Sequence, residues 1–130
     1  MHRKKILIAD DNAVIVKSLS MRLSASGYDI VAAQDGAATV STVRQERPDL
    51  ILLDLSFPHD GGGIAWDGFL VLDWLRRMDE ARYTPIVIIS RSDPDSYRER
   101  ALAAGVLGFF QKPINMPELL AFLDQVFRPK

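Results

Sequence analysis

The chain has 130 residues, of which 48% are hydrophobic and 25% charged, and this size and composition fit one soluble globular domain. It contains no cysteine, which excludes disulfides, thiol nucleophiles and thiolate metal sites. The net charge of −1 gives no electrostatic reason to expect binding to nucleic acid or to an anionic membrane, and no apolar run is long enough for a signal peptide or a membrane span. We therefore expect a single cytoplasmic domain over residues 1–130.

Five short apolar segments alternate along the chain with segments of helical periodicity. The strongest of them are rich in leucine and β-branched residues and lack polar alternation, which is typical of strands covered on both faces of a parallel sheet. Parallel strands joined by right-handed helical crossovers carry helices on both faces. The predicted strands are residues 6–9, 30–33, 50–53, 86–89 and 108–110.

The segments between and after these strands predict five helices. Asn12 can cap the first helix, which carries Ile15, Leu19 and Leu23 on one face and ends near Gly27. The second helix is predicted over Gly36–Glu46. The third follows a cap at Asp67 and carries Val71, Trp74, Leu75 and Met78 on one stripe. The last two are predicted over residues 95–104 and from about Met116.

Small polar or charged residues follow four of the five predicted strands. Asp10 and Asp11 follow the first strand, Asp54 the third and Ser90 the fourth, while Lys112 stands just beyond the fifth. Because the carboxyl ends of parallel strands meet at one edge of the sheet, we expect these side chains to lie together. Two carboxylates about 4 Å apart repel by on the order of 4 kcal/mol at an effective dielectric constant near 20, so a cation should join them.

Lys112 is one candidate for that cation, and a divalent metal ion is the other. Mg²⁺ commonly works with one or two carboxylates, several waters and a phosphate, which suits this cluster better than a calcium site built wholly from protein oxygens. Zinc is disfavoured because the chain has only two histidines and no cysteine.

A carboxylate beside a magnesium ion, a lysine and a hydroxyl is suited to phosphoryl transfer. Asp54 ends the central apolar strand and is the best nucleophile, which would form an acyl phosphate. The metal and Lys112 would neutralise charge on the transferring oxygens, and Ser90 could hydrogen-bond one of them. Each residue alone is more often a turn or cap residue, but the ordered set is specific.

The same residues stand in the motifs ILIADDN, RPDLILLDLSFP, TPIVIIS and AGVLGFFQKP. With these motifs the chain resembles, over essentially its whole length, the CheY-like receiver domain of bacterial two-component response regulators. The resemblance implies a flavodoxin-like (βα)5 three-layer α/β sandwich with a five-stranded parallel sheet of order 2-1-3-4-5. It also implies a signalling domain rather than an enzyme.

The resemblance assigns roles to individual residues. It implies that Asp54 is the phosphoacceptor and that Mg²⁺ is held by Asp10, Asp11, Asp54 and the backbone carbonyl of Ser56. It further implies that Ser90 is the switch hydroxyl, that Phe109 is the switch aromatic, that Lys112 pairs with the phosphate and that the peptide bond before Pro113 is cis. Phe109 has no hydroxyl, and simple core packing is an equally good interpretation of it.

The implied partners are a sensor histidine kinase or phosphotransfer protein as phosphodonor and a downstream effector protein. Only three residues follow the last predicted helix, so we expect the output to be another protein unless the chain is one domain of a longer one. The last helix is broadly apolar and could also serve a homodimer.

Two other functions stay open at this point. The chain could be an interaction module that is never phosphorylated, although it keeps every residue such modules usually lose. It could also be a magnesium-dependent aspartyl phosphohydrolase, but these enzymes typically carry a second aspartate two residues after the nucleophile, where this chain has Ser56.

Two departures from the family pattern lie beside the predicted site. Pro58 is followed by HDGGGIAW before Asp67, which lengthens the loop. The insertion could act as a lid, could present Trp66 to a partner, or could be a tolerated surface loop. Arg91 follows Ser90 where the family commonly has a small residue. It could narrow access to Asp54 or add a positive charge near the phosphate.

Overall fold

The computed structural model describes residues 3–55 and 68–128. Strands and helices alternate throughout these ranges, and none of the described helices is both long and apolar enough to cross a membrane. The elements are β1 Lys5–Ala9, α1 Ala13–Ala25, β2 Asp29–Ala33, α2 Gly36–Glu46, β3 Leu50–Asp54, α3 Gly68–Arg77, β4 Ile86–Ser90, a 3₁₀ turn Pro94–Ser96, α4 Arg98–Ala103, β5 Gly108–Gln111 and α5 Met116–Phe127.

The five strands form one parallel sheet in the order β2-β1-β3-β4-β5. This order confirms the predicted fold class. β3 lies at the centre, where Ile51 is in register with Leu7 of β1 and Ile86 of β4. Every residue of β3 and β4 is buried, whereas the edge strands β2 and β5 are partly exposed, as expected for a sheet covered on both faces.

Successive residues of each strand face two separate hydrophobic cores. In β1, Leu7 and Ala9 pack in the core beneath α2, α3 and α4, while Ile6 and Ile8 pack in the core beneath α1 and α5. This alternation is the ordinary consequence of the two-residue period of a strand. The result is three layers, with helices on both faces of the sheet.

The ends of the first helices confirm the predicted capping residues. The Asn12 side chain accepts hydrogen bonds from the N–H groups of Val14 and Ile15 at 3.0 and 3.2 Å. After α1 the chain turns at Gly27, whose φ of +101° favours glycine. α2 has the predicted bounds, and α5 begins at the predicted Met116.

One helix prediction was wrong in part. The helix predicted over residues 95–104 is divided, because Asp93 accepts a hydrogen bond from the Asp95 N–H at 3.0 Å and this local bond favours a 3₁₀ turn before α4. The stripe predicted for α3 is buried at Val71, Leu75 and Met78, whereas Trp74 of the same stripe is 43% exposed. The predicted cap Asp67 lies outside the described residues.

Candidate functional site

Four polar side chains become buried at the carboxyl edge of the sheet. Asp10 directly follows β1, Asp54 ends β3 and Ser90 ends β4, and each of them is at most 2% exposed. Lys112 follows β5, and its side chain is only 8% exposed. The parallel sheet therefore brings together the residues that the sequence places at successive strand ends.

Asp10, Asp11 and Asp54 form a carboxylate cluster at this edge. One oxygen from each lies within 4.8 Å of those from the other two, and Asp11 is the exposed member. Lys112 Nζ lies 2.6 Å from Asp10 Oδ2 and 3.4 Å from Asp54 Oδ2. The ammonium group thus contacts both buried carboxylates and reduces their mutual repulsion.

The backbone around the cluster fixes these side chains. Asp10 Oδ1 accepts a hydrogen bond from the Asn12 N–H at 2.9 Å, and the Asp10 N–H donates to the carbonyl of Ala33 at 3.0 Å. The Lys112 N–H donates to the carbonyl of Ser90 at 2.7 Å, and the peptide bond between Lys112 and Pro113 is cis. The strand ends and the β5–α5 loop therefore share one hydrogen-bonded frame.

The charges of the cluster suit a divalent cation. When ionised, three carboxylates and one ammonium group leave a formal charge of −2 in a largely buried site. The available donors are carboxylate oxygens, which are the hard ligands that Mg²⁺ prefers. The residues present therefore fit a magnesium ion.

Gly68, the first residue of α3, makes a close backbone contact behind Asp54. A Cβ at this position would overlap Leu55 Cα and would lie 2.7 Å from the Asp54 carbonyl oxygen. The Gly68 N–H donates to the carbonyl of Leu55 at 3.2 Å. The start of α3 can therefore approach the phosphoacceptor candidate only because this residue has no side chain.

The Ser90 hydroxyl is buried, and its hydrogen bond joins it to the following loop. Ser90 Oγ accepts from the Ser92 N–H at 3.1 Å, and the Gln111 side chain donates to the carbonyl of Arg91 at 3.2 Å. The Arg91 side chain lines a groove of about 500 Å³ together with Lys112 and apolar residues of α1, the β5–α5 loop and α5. Arg91 therefore shares this groove with Lys112, the residue that contacts the two buried carboxylates.

The remaining predicted residues are distributed as follows. Phe109 lies in β5, is partly buried, and packs edge-on against Tyr97 with ring centroids 5.8 Å apart. Ser56, whose carbonyl was predicted to hold the metal, lies outside the described residues, as do the glycines 61–63 and Trp66 of the inserted loop. The fold thus brings five predicted side chains together at one edge of the sheet, whereas Phe109 lies within β5 and packs against Tyr97.

Tyr97 is a buried residue of this region that sequence reasoning missed. It is 8% exposed and belongs to the core beneath α2, α3 and α4. The available signal was its isolation, because it is the one aromatic residue within the polar stretch 91–100. An aromatic side chain among charged residues favours a buried contact on an otherwise solvated helix.

The chain matches a known protein family over most of its length. The family model described as the response regulator receiver domain matches residues 6–124. The chain is 34% identical over 128 residues to the probable transcriptional regulator ycf27 of Porphyridium aerugineum. The match covers 98% of this chain but 50% of that relative, so the chain spans about half the length of ycf27.

Solved structures give the same fold. The chemotaxis protein CheY4 of Vibrio cholerae superposes with a TM-score of 0.86 at 26% identity, over 97% of this chain and 100% of CheY4. The receiver domain of the sensor histidine kinase PA1611 from Pseudomonas aeruginosa gives a TM-score of 0.81 at 27% identity, over 95% of this chain and 97% of that one. That structure holds a magnesium ion in its active-site cleft.

Proposed function

Because the chain belongs to the response regulator receiver family, we propose that it accepts a phosphoryl group on Asp54 and thereby changes a surface that binds a partner protein. One observation carries this proposal. The Asp54 carboxylate is buried at the end of the central strand, 3.4 Å from Lys112 Nζ and within 4.8 Å of the oxygens of Asp10 and Asp11. Receiver domains are signalling domains, so the acceptor itself is the substrate of the reaction.

The transfer exchanges one bond to phosphorus for another. A carboxylate oxygen of Asp54 bonds to the phosphorus atom, while the bond between phosphorus and the nitrogen or oxygen of the donor breaks and its electron pair leaves with the donor. The Lys112 ammonium group contacts the Asp54 carboxylate before the transfer and can contact the negatively charged phosphoryl oxygens after it. Attack by water on the acyl phosphate would return the Asp54 carboxylate and release inorganic phosphate.

The carboxylate cluster is the proposed magnesium site. Asp10, Asp11 and Asp54 would hold the ion, and the carbonyl of Ser56 stays a predicted further ligand. When bound, Mg²⁺ would neutralise charge that develops on the transferring phosphoryl group. The magnesium ion in the PA1611 receiver domain supports this choice of metal.

Ser90 is the proposed link between the phosphoryl group and the rest of the domain. Its hydroxyl now accepts a hydrogen bond from the Ser92 N–H, and turning to donate to a phosphoryl oxygen would break that bond. The loop before α4 would then be free to rearrange, and Phe109 lies beside it. We propose that a histidine kinase or phosphotransfer protein supplies the phosphoryl group in the cytoplasm and that an effector protein reads the rearranged surface.

The acceptor is tested by phosphorylation with a small acyl phosphate in the presence of Mg²⁺. The intact mass of the wild-type protein should increase by one phosphoryl group, and base should remove it. Asp54→Asn should gain no adduct, and removal of Mg²⁺ with a chelator should prevent the reaction in the wild type. Asp73→Asn, a change at an exposed aspartate of α3, is the matched control and should react like the wild type.

Each other outcome favours a different function. An Asp54→Asn variant that gains the same adduct would contradict the acceptor assignment. A wild-type protein that gains none would favour an interaction module that is never phosphorylated. Continuous release of phosphate over many turnovers would favour a phosphohydrolase.

A further inference from the structure

Three rings from three different elements pack in a row on the α4 side of the sheet. We call Phe69 of α3, Tyr97 before α4 and Phe109 of β5 the aromatic row. The Tyr97 centroid lies 6.5 Å from that of Phe69 and 5.8 Å from that of Phe109, both in edge-on geometry. Arg100 covers the Phe69 ring at 4.0 Å and Arg98 covers the Phe109 ring at 5.6 Å. The row connects the start of α3 with β5 through Tyr97.

The hydroxyl of the central ring is buried without a hydrogen-bond partner. Within the described part of the chain, Tyr97 Oη is the buried side-chain polar atom for which the structure provides none. Burial raises the pKa of the Tyr97 hydroxyl, so it stays protonated at neutral pH and remains an unpaired donor. An unpaired buried donor destabilises the packing that removes it from water.

The two ends of α4 are held very differently. At its carboxyl end, Arg76 donates hydrogen bonds to the carbonyls of Ala104 and Gly105 at 2.8 and 3.1 Å. At its amino end, Tyr97 occupies the N-cap position and its side chain makes no capping hydrogen bond. The unfavourable burial of the hydroxyl therefore acts at the less constrained end of the helix.

We propose that the Tyr97 hydroxyl loosens the amino end of α4 in the resting domain, which makes Tyr97 a positioning residue for the response to phosphorylation. The packing of the Tyr97 ring holds the start of α4 against the sheet. The hydroxyl favours any arrangement in which it can hydrogen-bond to water or to another group. This end of α4 follows Ser90 through the loop and the 3₁₀ turn. The link to phosphorylation rests on the proposed function, but the loosening itself does not.

The first test measures hydrogen exchange in the full unphosphorylated chain. The Ala101 N–H donates to the Tyr97 carbonyl at 3.0 Å, so its exchange reports the opening of the helix start. Tyr97→Phe keeps the ring and removes the hydroxyl, and exchange at Ala101 should slow by roughly tenfold, as expected when an unsatisfied buried group is removed. The Val16 N–H, which donates to the Asn12 carbonyl at 3.0 Å at the start of α1, can open while Tyr97 stays packed, so its exchange should not change. Unchanged or faster exchange at Ala101 in Tyr97→Phe would overturn the proposal.

Two further variants separate the hydroxyl from the ring. Tyr83→Phe removes a hydroxyl from a side chain that is 87% exposed and should leave the exchange of Ala101 unchanged. Tyr97→Leu removes the aromatic contacts together with the hydroxyl, so its exchange should be faster than that of Tyr97→Phe. If Tyr97→Leu exchanged as slowly as Tyr97→Phe, the packing of the ring would not retain the helix start, and that part of the proposal would be wrong.

The second test asks whether the loosening is coupled to Asp54. Beryllofluoride with Mg²⁺ is used as a stable mimic of the phosphoryl group. Because coupling is reciprocal, a variant with a firmer resting α4 should bind the mimic more weakly. Tyr97→Phe should need roughly tenfold more beryllofluoride for half-saturation, matching the change in exchange, and Tyr83→Phe should not differ from the wild type. Equal binding by Tyr97→Phe would contradict the coupling. Failure of the wild type to form any adduct at Asp54 would instead contradict the proposed function, while the exchange result would still decide the role of the hydroxyl.

Discussion

Two helices follow strands that end at the carboxylate cluster, and they begin in opposite ways. α1 starts immediately after Asp10 and Asp11, and the Asn12 side chain accepts hydrogen bonds from two N–H groups of its first turn. α4 starts only after a loop and a 3₁₀ turn that follow Ser90, and its amino end has no side-chain cap. The two sides of one site therefore differ in how firmly the adjoining helix is fixed.

This difference separates two tasks of the site. Asn12 caps α1 with its side chain and donates its own N–H to Asp10, so the carboxylate is fixed to the helix that follows it. Ser90 Oγ accepts its hydrogen bond from the Ser92 N–H of the following loop. Tyr97, at the end of that loop, has a buried hydroxyl without a partner. The comparison supports a division of the proposed function between a rigid side, which carries the proposed metal ligands, and a movable side, which would respond to a phosphoryl group.

The largest expected effect concerns the anchoring of the two helices in their cores. Leu23 of α1 is fully buried, whereas Leu102 of α4 is 54% exposed and the buried residue of α4 is Ala101. We expect Leu23→Ala to lower the free energy of unfolding by about 2–5 kcal/mol, through lost burial and the cavity it leaves. Leu102→Ala should lower it by less than about 1 kcal/mol.

Urea denaturation of both variants measures these changes. A similar loss in Leu102→Ala would show that α4 is held as firmly as α1, and the proposed division between a rigid and a movable side would be wrong. Far-UV circular dichroism of the folded variants serves as the control that each retains its helices.

The second effect concerns the fixed end of α4. The Arg76 guanidinium donates to the carbonyls of Ala81, Arg82, Thr84, Ala104 and Gly105, so one side chain joins the α3–β4 loop to the turn after α4. Burial lowers the pKa of Arg76, but an arginine stays charged at every pH of interest.

Removing this guanidinium should release the carboxyl end of α4 as well. We expect Arg76→Met to lower the free energy of unfolding by about 1–3 kcal/mol, because several backbone carbonyls lose a charged donor. Arg76→Lys should recover only part of the loss, since one ammonium group cannot reach both loops. Thermal denaturation compares these variants with Arg77→Met, a change at the exposed neighbour. Equal stability of the two methionine variants would contradict the role of Arg76.

The sequence predicts the fold well because its signals are local. Each observed strand includes the predicted apolar run and differs from it by one residue at an end, and the Asn12 cap was recognised from its position before an apolar period. The gathering of Asp10, Asp54 and Lys112 also followed from topology alone, since parallel strands end at one edge. The chemical roles of these residues stay predictions.

What the sequence could not show depends on contacts between distant segments. Arg76 resembles an ordinary solvated residue of an amphipathic helix, and its bond to Ala104 joins positions far apart in the chain. Tyr97 likewise acquires its neighbours only when α3 and β5 are in place. The division of the predicted helix over residues 95–104 arose because a side-chain hydrogen bond of Asp93 competes with helix formation, which periodicity does not record.

The smallest expected effect tests the rigid side directly. Asn12 and Asn115 both cap a helix with their side chains. Asn12 also donates its backbone N–H to Asp10, so its cap fixes the backbone that contacts an aspartate of the cluster. Each change to alanine should lower the free energy of unfolding by about 1 kcal/mol, the usual cost of losing such a cap. If the cap of α1 also positions Asp10, then Asn12→Ala alone should bind Mg²⁺ more weakly, as followed by NMR titration of the amides near the cluster. Equal Mg²⁺ affinity in Asn12→Ala and Asn115→Ala would mean that the strand end holds Asp10 without help from α1, and the rigidity of that side would then belong to the sheet rather than to the helix.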